Sequence, residues 1–169
     1  PFVKKYDEIT LLHFDAHADL RDSYNGEKFS HASAIKRCLD FKNVKVVSFG
    51  IRNLSQYEMN FYKNNKDRIE IFWGKDKKKW DLSRLKTIFK EKNVYITFDV
   101  DGFDASIMPA TGTPEPGGLL WEEVLPIIKR VCQISNIVGV DINELAPIKN
   151  FDSYNFLVAK LAYKVLSYI

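Results

Sequence analysis

Two short acidic segments far apart in the chain carry the residue types that could do chemistry. The first is Asp15-Ala16-His17-Ala18-Asp19 and the second is Asp99-Val100-Asp101-Gly102-Phe103-Asp104. Each follows a short apolar run, Ile9–Phe14 in one case and Val94–Phe98 in the other, that reads as a β-strand. Carboxylates at the ends of core strands are costly to desolvate unless something positive holds them. Asp15, Asp19, Asp99, Asp101 and the His17 imidazole can therefore converge only around a cation. Mixed oxygen and imidazole donors suit Mn²⁺ or Zn²⁺ better than a thiolate-seeking ion. The chemistry this predicts is hydrolysis at a two-metal site.

The elements that must position these residues alternate strand and helix. Further strands are predicted at Val44–Phe49, Arg68–Trp73 and Ile137–Ile142, each β-branched or alternating in pattern. Helical spacing of apolar residues predicts helices from about Ala32 to Phe41, from a Ser55 cap to about Asn64, after an Asp81 cap through Leu82, Leu85, Ile88 and Phe89, from Trp121 to about Ile134, and from Tyr154 to Tyr168. Pro126 falls inside the fourth of these and implies a kink. A long loop rich in Gly, Pro and Thr runs from Asp99 to Gly118. Such a succession predicts an α/β fold, a three-layer αβα sandwich with a mainly parallel sheet, over a single domain spanning 1–169. Ligands of such sheets gather beyond the carboxyl ends of the strands, where Asp15, Asp99, Asp101, Asn143 and Glu144 all fall.

Bulk properties narrow the partners. The 169 residues suffice for one domain with a real core, and 46% hydrophobic with 28% charged composition argues against disorder. A net charge of +3 with scattered lysines does not point to nucleic acid. The run Lys75-Asp76-Lys77-Lys78-Lys79 reads as a solvated loop. Cys38 and Cys132 both fall in helical patterns and outside any metal or redox spacing, so they are expected to be buried free thiols in a reducing, cytoplasmic compartment. No apolar stretch is long enough to cross a bilayer, and no membrane role is expected.

Three motifs in order resemble the ureohydrolases, the arginase and agmatinase family of dimanganese enzymes: Phe14 to Asp19, Thr97 to Asp104, and Thr111-Gly112-Thr113-Pro114-Glu115-Pro116-Gly117-Gly118. Asp141-Ile142-Asn143-Glu144-Leu145-Ala146-Pro147 is similar to the family's late substrate-binding segment. The resemblance implies an arginase-like fold and two Mn²⁺ ions sharing a bridging hydroxide. In that frame Asp15 and Asp99 bridge both metals, Asp19 serves one, and His17 and Asp101 serve the other. Asp19 would also orient the nucleophile, His31 would shuttle protons, and Glu144 would hold the guanidinium. The stretch from Leu20 to Ser33 looks like the agmatinase branch, which implies agmatine hydrolysed to putrescine and urea in polyamine biosynthesis. Guanidinobutyrate, arginine and formiminoglutamate are the alternative substrates, and a non-catalytic metal-binding or assembly remnant is the alternative role. The family also implies a homo-oligomer, a trimer or hexamer.

The pattern departs from the family at its start. The histidine of an upstream Gly-Gly-Asp-His segment is absent; the histidines here are His13, His17 and His31. The chain opens on Pro1 with a strand expected almost at once, so it is expected to be the C-terminal part of a longer protein, with the N-terminal strands of the fold missing. Ala105 and Leu120 replace a proline and a capping threonine. Structural roles are expected for His13 in its strand, for Asp104 in an Asx-type turn, for Asp141 as a hydrogen-bonding group, and for Arg52 in an ion pair. A magnesium phosphohydrolase would need a phosphate-cradling loop, and none is visible.

Overall fold

The computed structural model describes residues 1–169. Its elements run α1 (Phe2–Lys5), β1 (Ile9–Phe14), α2 (Ala34–Cys38), β2 (Val44–Phe49), α3 (Gln56–Asn64), β3 (Ile69–Phe72), α4 (Leu85–Phe89), β4 (Asn93–Asp99), α5 (Trp121–Ile134), β5 (Asn136–Asn143) and α6 (Asp152–Tyr168). The strands form one sheet in the order β3-β2-β1-β4-β5, with every pairing parallel. β1 is central, and all six of its residues are buried. That explains why its sequence is a continuous apolar run rather than an alternation: both faces of a central parallel strand are covered by helices.

Successive residues point to opposite faces and build two cores. Leu11, Val46 and Ile69 pack with Ile35 of α2 and with side chains of α1 and α3. Leu12, Val47 and Phe98 pack with Phe89 of α4, Val124 and Ile128 of α5 and Leu161 of α6. An aromatic file crosses this second face, with Phe14 stacked on Phe98 at 4.9 Å and Phe49 on Phe72 at 4.3 Å. The result is the expected three-layer sandwich.

The chain lays down β1, β2 and β3 in one direction, then returns through α4 to place β4 on the other side of β1. This reversal makes the crevice between β1 and β4 the switch point where parallel sheets bind ligands. Register then matters: Phe14 pairs with Phe98, so Asp15 and Asp99 leave the sheet side by side.

Several local expectations are corrected. A short helix, α1, precedes β1, and its Phe2 packs edge-on to Tyr95 at 5.1 Å. The helix expected to Phe41 is a 3₁₀ turn (His31–Ser33) continued by the five-residue α2. Its exit is held by Arg68, whose guanidinium donates to the carbonyls of Leu39, Phe41 and Val44 at 2.6–3.1 Å. The lysine run is a 3₁₀ helix (Gly74–Lys79), not a solvated loop throughout: Lys77 Nζ donates to Gly118 O at 2.8 Å and pairs with Glu123 at 3.0 Å. Pro126 sits inside α5, which runs on past it as one helix, and its missing N–H leaves the Glu122 carbonyl without an i+4 donor. Cys38 and Cys132 are unpaired and half-buried.

Candidate active site at the carboxyl ends of β1 and β4

The loop after β1 and the loop after β4 are joined by one backbone-to-carboxylate hydrogen bond, and each is folded on itself by another. Ala16 N donates to Asp101 Oδ1 at 2.9 Å, Asp101 N to Asp99 Oδ1 at 2.9 Å, and His17 N to Asp15 Oδ1 at 2.6 Å. Asp101 lies in a 3₁₀ turn (Val100–Gly102) that curls back over Asp15. Gly102 is there because a Cβ would stand 2.9 Å from Asp15 N.

Within this frame the His17 ring sits between two carboxylates. Its Nδ1 lies 3.0 Å from Asp101 Oδ2 and 3.5 Å from Asp15 Oδ1. Candidate ligand atoms of Asp15, His17 and Asp101 all fall within 4.8 Å of one another. Behind them, His13 accounts for its burial in the strand: Nε2 meets Asp15 Oδ2 at 2.9 Å and Nδ1 meets Ser48 Oγ at 3.0 Å. Asp19 follows with φ at +53°, a left-handed backbone in which Asp and Asn are enriched among residues other than glycine.

The electrostatics are those of a site built for positive charge. Burial, then the Asp15 and Asp101 charges, push Asp99 up to about 9. Burial and the Asp15 charge likewise push Asp19 up to about 8. Burial also acts to raise Asp15, but hydrogen bonds from His13 and His17 overcome it and hold that carboxyl well below the usual range. Bonding to Asp101 and Asp15 holds His17 up to about 10. Metal-free, the chain thus neutralises its own carboxylates with an imidazolium and with protons. A divalent cation would relieve the same repulsion, and the oxygen-rich donor set with one imidazole fits Mn²⁺.

A cleft of about 440 Å³ opens over these groups. Its wall includes all five expected metal ligands together with His31 and Glu144, but only Asp15, His17 and Asp101 bring ligand atoms within 4.8 Å of one another; Asp19 and Asp99 line the cleft outside that group. His31 packs edge-on to Tyr24 at 5.5 Å and makes no helix-capping bond. Glu144 leaves β5 with φ at +63°. The segment after it pairs with the Gly/Pro-rich loop through Thr111 and Leu145 and through Ala146 N to Ala110 O at 2.9 Å.

Residues assigned structural roles behave so. Asp104 accepts from Ser106 N at 3.0 Å and from Gly118 N at 2.8 Å, an Asx turn that closes the loop. Asp141 accepts from Thr97 Oγ1 at 2.8 Å and from Asn143. Arg52 is the exception: in place of an ion pair, its guanidinium donates to carbonyls of Gly50, Asp101, Phe103, Glu115 and Pro116 at 2.7–3.2 Å. Every side-chain hydrogen bond of this half-buried cation goes to a backbone carbonyl, so it clamps the loop rather than a carboxylate.

Three side chains with no expected role brace these loops. Buried Glu58 accepts from Leu20 N at 3.1 Å and from Ser55 N and Oγ at 2.7 Å, which ties the β1 loop to the start of α3. The Ser55-x-x-Glu58 capping box was the available signal for it. Asn53 and Glu115 have no such signal; they meet only in space, with Asn53 Nδ2 donating to Glu115 Oε1 at 2.5 Å.

The model of the Arginase family matches residues 2–167. The chain belongs to the arginase family. An agmatinase from Pyrococcus horikoshii is 36% identical over 166 residues, covering 98% of this chain and 57% of that protein. The N(1)-aminopropylagmatine ureohydrolase of Synechocystis is 36% identical over 163 residues, covering 95% of this chain and 52% of that protein. Among solved structures, the agmatine ureohydrolase of Thermoplasma volcanium superposes with a TM-score of 0.82 at 32% identity, covering 96% of this chain and 55% of that one. The chain therefore spans about half the length of the arginase-family relatives it matches. No helix is long and apolar enough to cross a membrane.

Proposed function

We propose that this chain carries the catalytic centre of a manganese-dependent, agmatinase-like ureohydrolase that hydrolyses agmatine to putrescine and urea. The observation that carries the reading is the convergence of the two acidic loops on one imidazole at the β1/β4 switch point. Asp15, His17, Asp99 and Asp101 would hold one Mn²⁺, and Asp15, Asp19 and Asp99 would contribute to a second. When bound, the ions supply Lewis acidity and lower the pKa of water toward neutrality.

The chain's own residues do the rest. Glu144 pairs with the planar guanidinium through charge-assisted hydrogen bonds and turns its carbon toward the metal-ligand cluster. Asp19 accepts a hydrogen bond from the attacking water and fixes its approach. Hydrolysis breaks one C–N bond, and the amine departs once His31 has delivered a proton to its nitrogen. The loop from Gly112 to Gly118, held by Arg52, forms the outer wall.

The segment from Leu20 to Ser33 supports a substrate without an α-carboxylate, and the named relatives are agmatinase and aminopropylagmatine ureohydrolase. Family resemblance supports a trimeric or hexameric assembly, and the unpaired Cys38 and Cys132 fit a reducing, cytoplasmic setting. The test is urea release by the protein as encoded, loaded with Mn²⁺, from agmatine and from arginine. Agmatine cleaved well and arginine poorly is the expected result. No urea from either, with metal at full occupancy, overturns the agmatinase assignment and brings guanidinobutyrate, formiminoglutamate or a non-catalytic role forward.

A further inference from the structure

We propose that Glu115 is a positioning residue for His17, the carboxylate partner that orients the imidazole toward the metal. The inference rests on the metal-site reading above and deepens it. His17 presents Nδ1 to Asp15 and Asp101, so Nδ1 is the atom that faces the ion and must be free of hydrogen when it binds one. The neutral ring then carries its hydrogen on Nε2. That atom points away from the cluster, and Glu115 Oε1 lies 3.8 Å from it. This is ion-pair distance, and a small side-chain adjustment brings a hydrogen bond within reach.

Histidines that bind metals donate their second ring N–H to a carboxylate, a carbonyl or water, which selects the tautomer and strengthens the ligand. Glu115 is built in to play that part. Asn53 Nδ2 donates to Glu115 Oε1, and Asn53 itself pairs with His17 through the backbone. Arg52 Nη2 takes the Glu115 carbonyl at 2.7 Å and Arg52 Nε takes the Pro116 carbonyl at 3.0 Å. Lys77 anchors the far end of the same loop at Gly118 O. The side chain is 30% exposed, so nothing in the core depends on it, yet its carboxylate is aimed inward. The Asn53 bond holds the carboxylate itself, and the Arg52 and Lys77 bonds hold the backbone that carries it.

The experiment is an Mn²⁺ titration of the protein as encoded, followed by the loss of the free-ion electron paramagnetic resonance signal. It is run on the wild type and on Glu115→Gln, Glu115→Asp and Asn53→Ala, with metal-free thermal unfolding of each alongside. Expected for Glu115→Gln is a loss of Mn²⁺ affinity of about 10- to 100-fold, with unchanged metal-free unfolding. Glu115→Asp, which keeps the charge, recovers most of the loss, and Asn53→Ala shows a smaller loss of the same sign. Wild-type affinity in Glu115→Gln, or equal losses in the Gln and Asp variants, overturns the positioning role and leaves the metal site standing. A wild type that takes up no Mn²⁺ overturns both.

Discussion

At the scale of single residues, the decisive fact is that carboxylates and an imidazole share a space too small for their charges. Asp19 and Asp99 are pushed up to about 8 and about 9 from 3.8, by burial first and by Asp15 next. A carboxyl raised on folding contributes stability that is complete below its unfolded pKa and is lost as pH rises through its folded pKa. In the metal-free chain, stability from these groups therefore declines from about pH 4 to about pH 9. A cation must displace the same protons, so its binding has the opposite dependence. Mn²⁺ affinity is expected to rise with pH through about 8 to about 10, the range over which Asp19, Asp99 and His17 give up their protons, with net proton release. Calorimetric titration in buffers of different ionisation enthalpy measures this directly; a pH-independent affinity would contradict the protonated state assigned to Asp19 and Asp99. His13 offers a second prediction at this scale. Replacing it with alanine leaves Asp15 Oδ2 and Ser48 Oγ without partners inside the sheet. A stability loss of about 1–3 kcal/mol is expected in denaturant unfolding, together with weaker Mn²⁺ binding.

At the scale of elements, the site is held by loops whose backbones touch. Gly102→Ala places a methyl 2.9 Å from Asp15 N and 3.1 Å from Phe14 C, both backbone atoms that cannot step aside. The loops must separate, and a destabilisation of about 1–3 kcal/mol with loss of Mn²⁺ binding is expected from unfolding curves and metal titration. An unchanged affinity would show that the contact between the loops does not set the ligand geometry. Arg52→Lys is a matched case, since one ammonium cannot serve five carbonyls in a planar fork. Faster amide hydrogen exchange in the segment 113–118 is the expected readout, with the exchange of β1 unaffected. Much of this scale was legible beforehand. All five strands and α3, α5 and α6 follow from apolar patterning and caps, because their type is set by local spacing and by cap residues such as Ser55. The early end of α2 and the lysine-rich 3₁₀ helix were not legible. Their ends are decided by Arg68 and by the Lys77 contact with Gly118, partners that lie 24 or more residues away.

At the scale of the whole molecule, sheet order explains the site. Parallel pairing of β1 with both β2 and β4 creates one crevice, and the acidic loops open into it. The same order leaves β5 at an edge, and α6 buries only Leu161 and Val165 fully while Phe156 and Leu166 stay 70% and 72% exposed. An unpaired strand edge and exposed apolar side chains each favour self-association. A chain of these 169 residues is expected to associate with rising concentration, and Phe156→Lys with Leu166→Lys to reduce that association in light scattering without altering the circular dichroism.

The sequence by itself determined the element types, the two acidic segments and, through resemblance, the family. These are properties of neighbours along the chain: periodicity, propensity and residue spacing. Only the tertiary structure decided that Phe14 pairs with Phe98, so that Asp15 and Asp99 leave the sheet together. It alone decided that His13 supports Asp15, that Arg52 grips carbonyls rather than a carboxylate, and that Glu115 faces the outer nitrogen of His17. The physical reason is common to all of them. Strand order, register and the path of a return loop are set by how two cores pack on opposite faces of the sheet, and that packing couples residues whose separation along the chain carries no local signature.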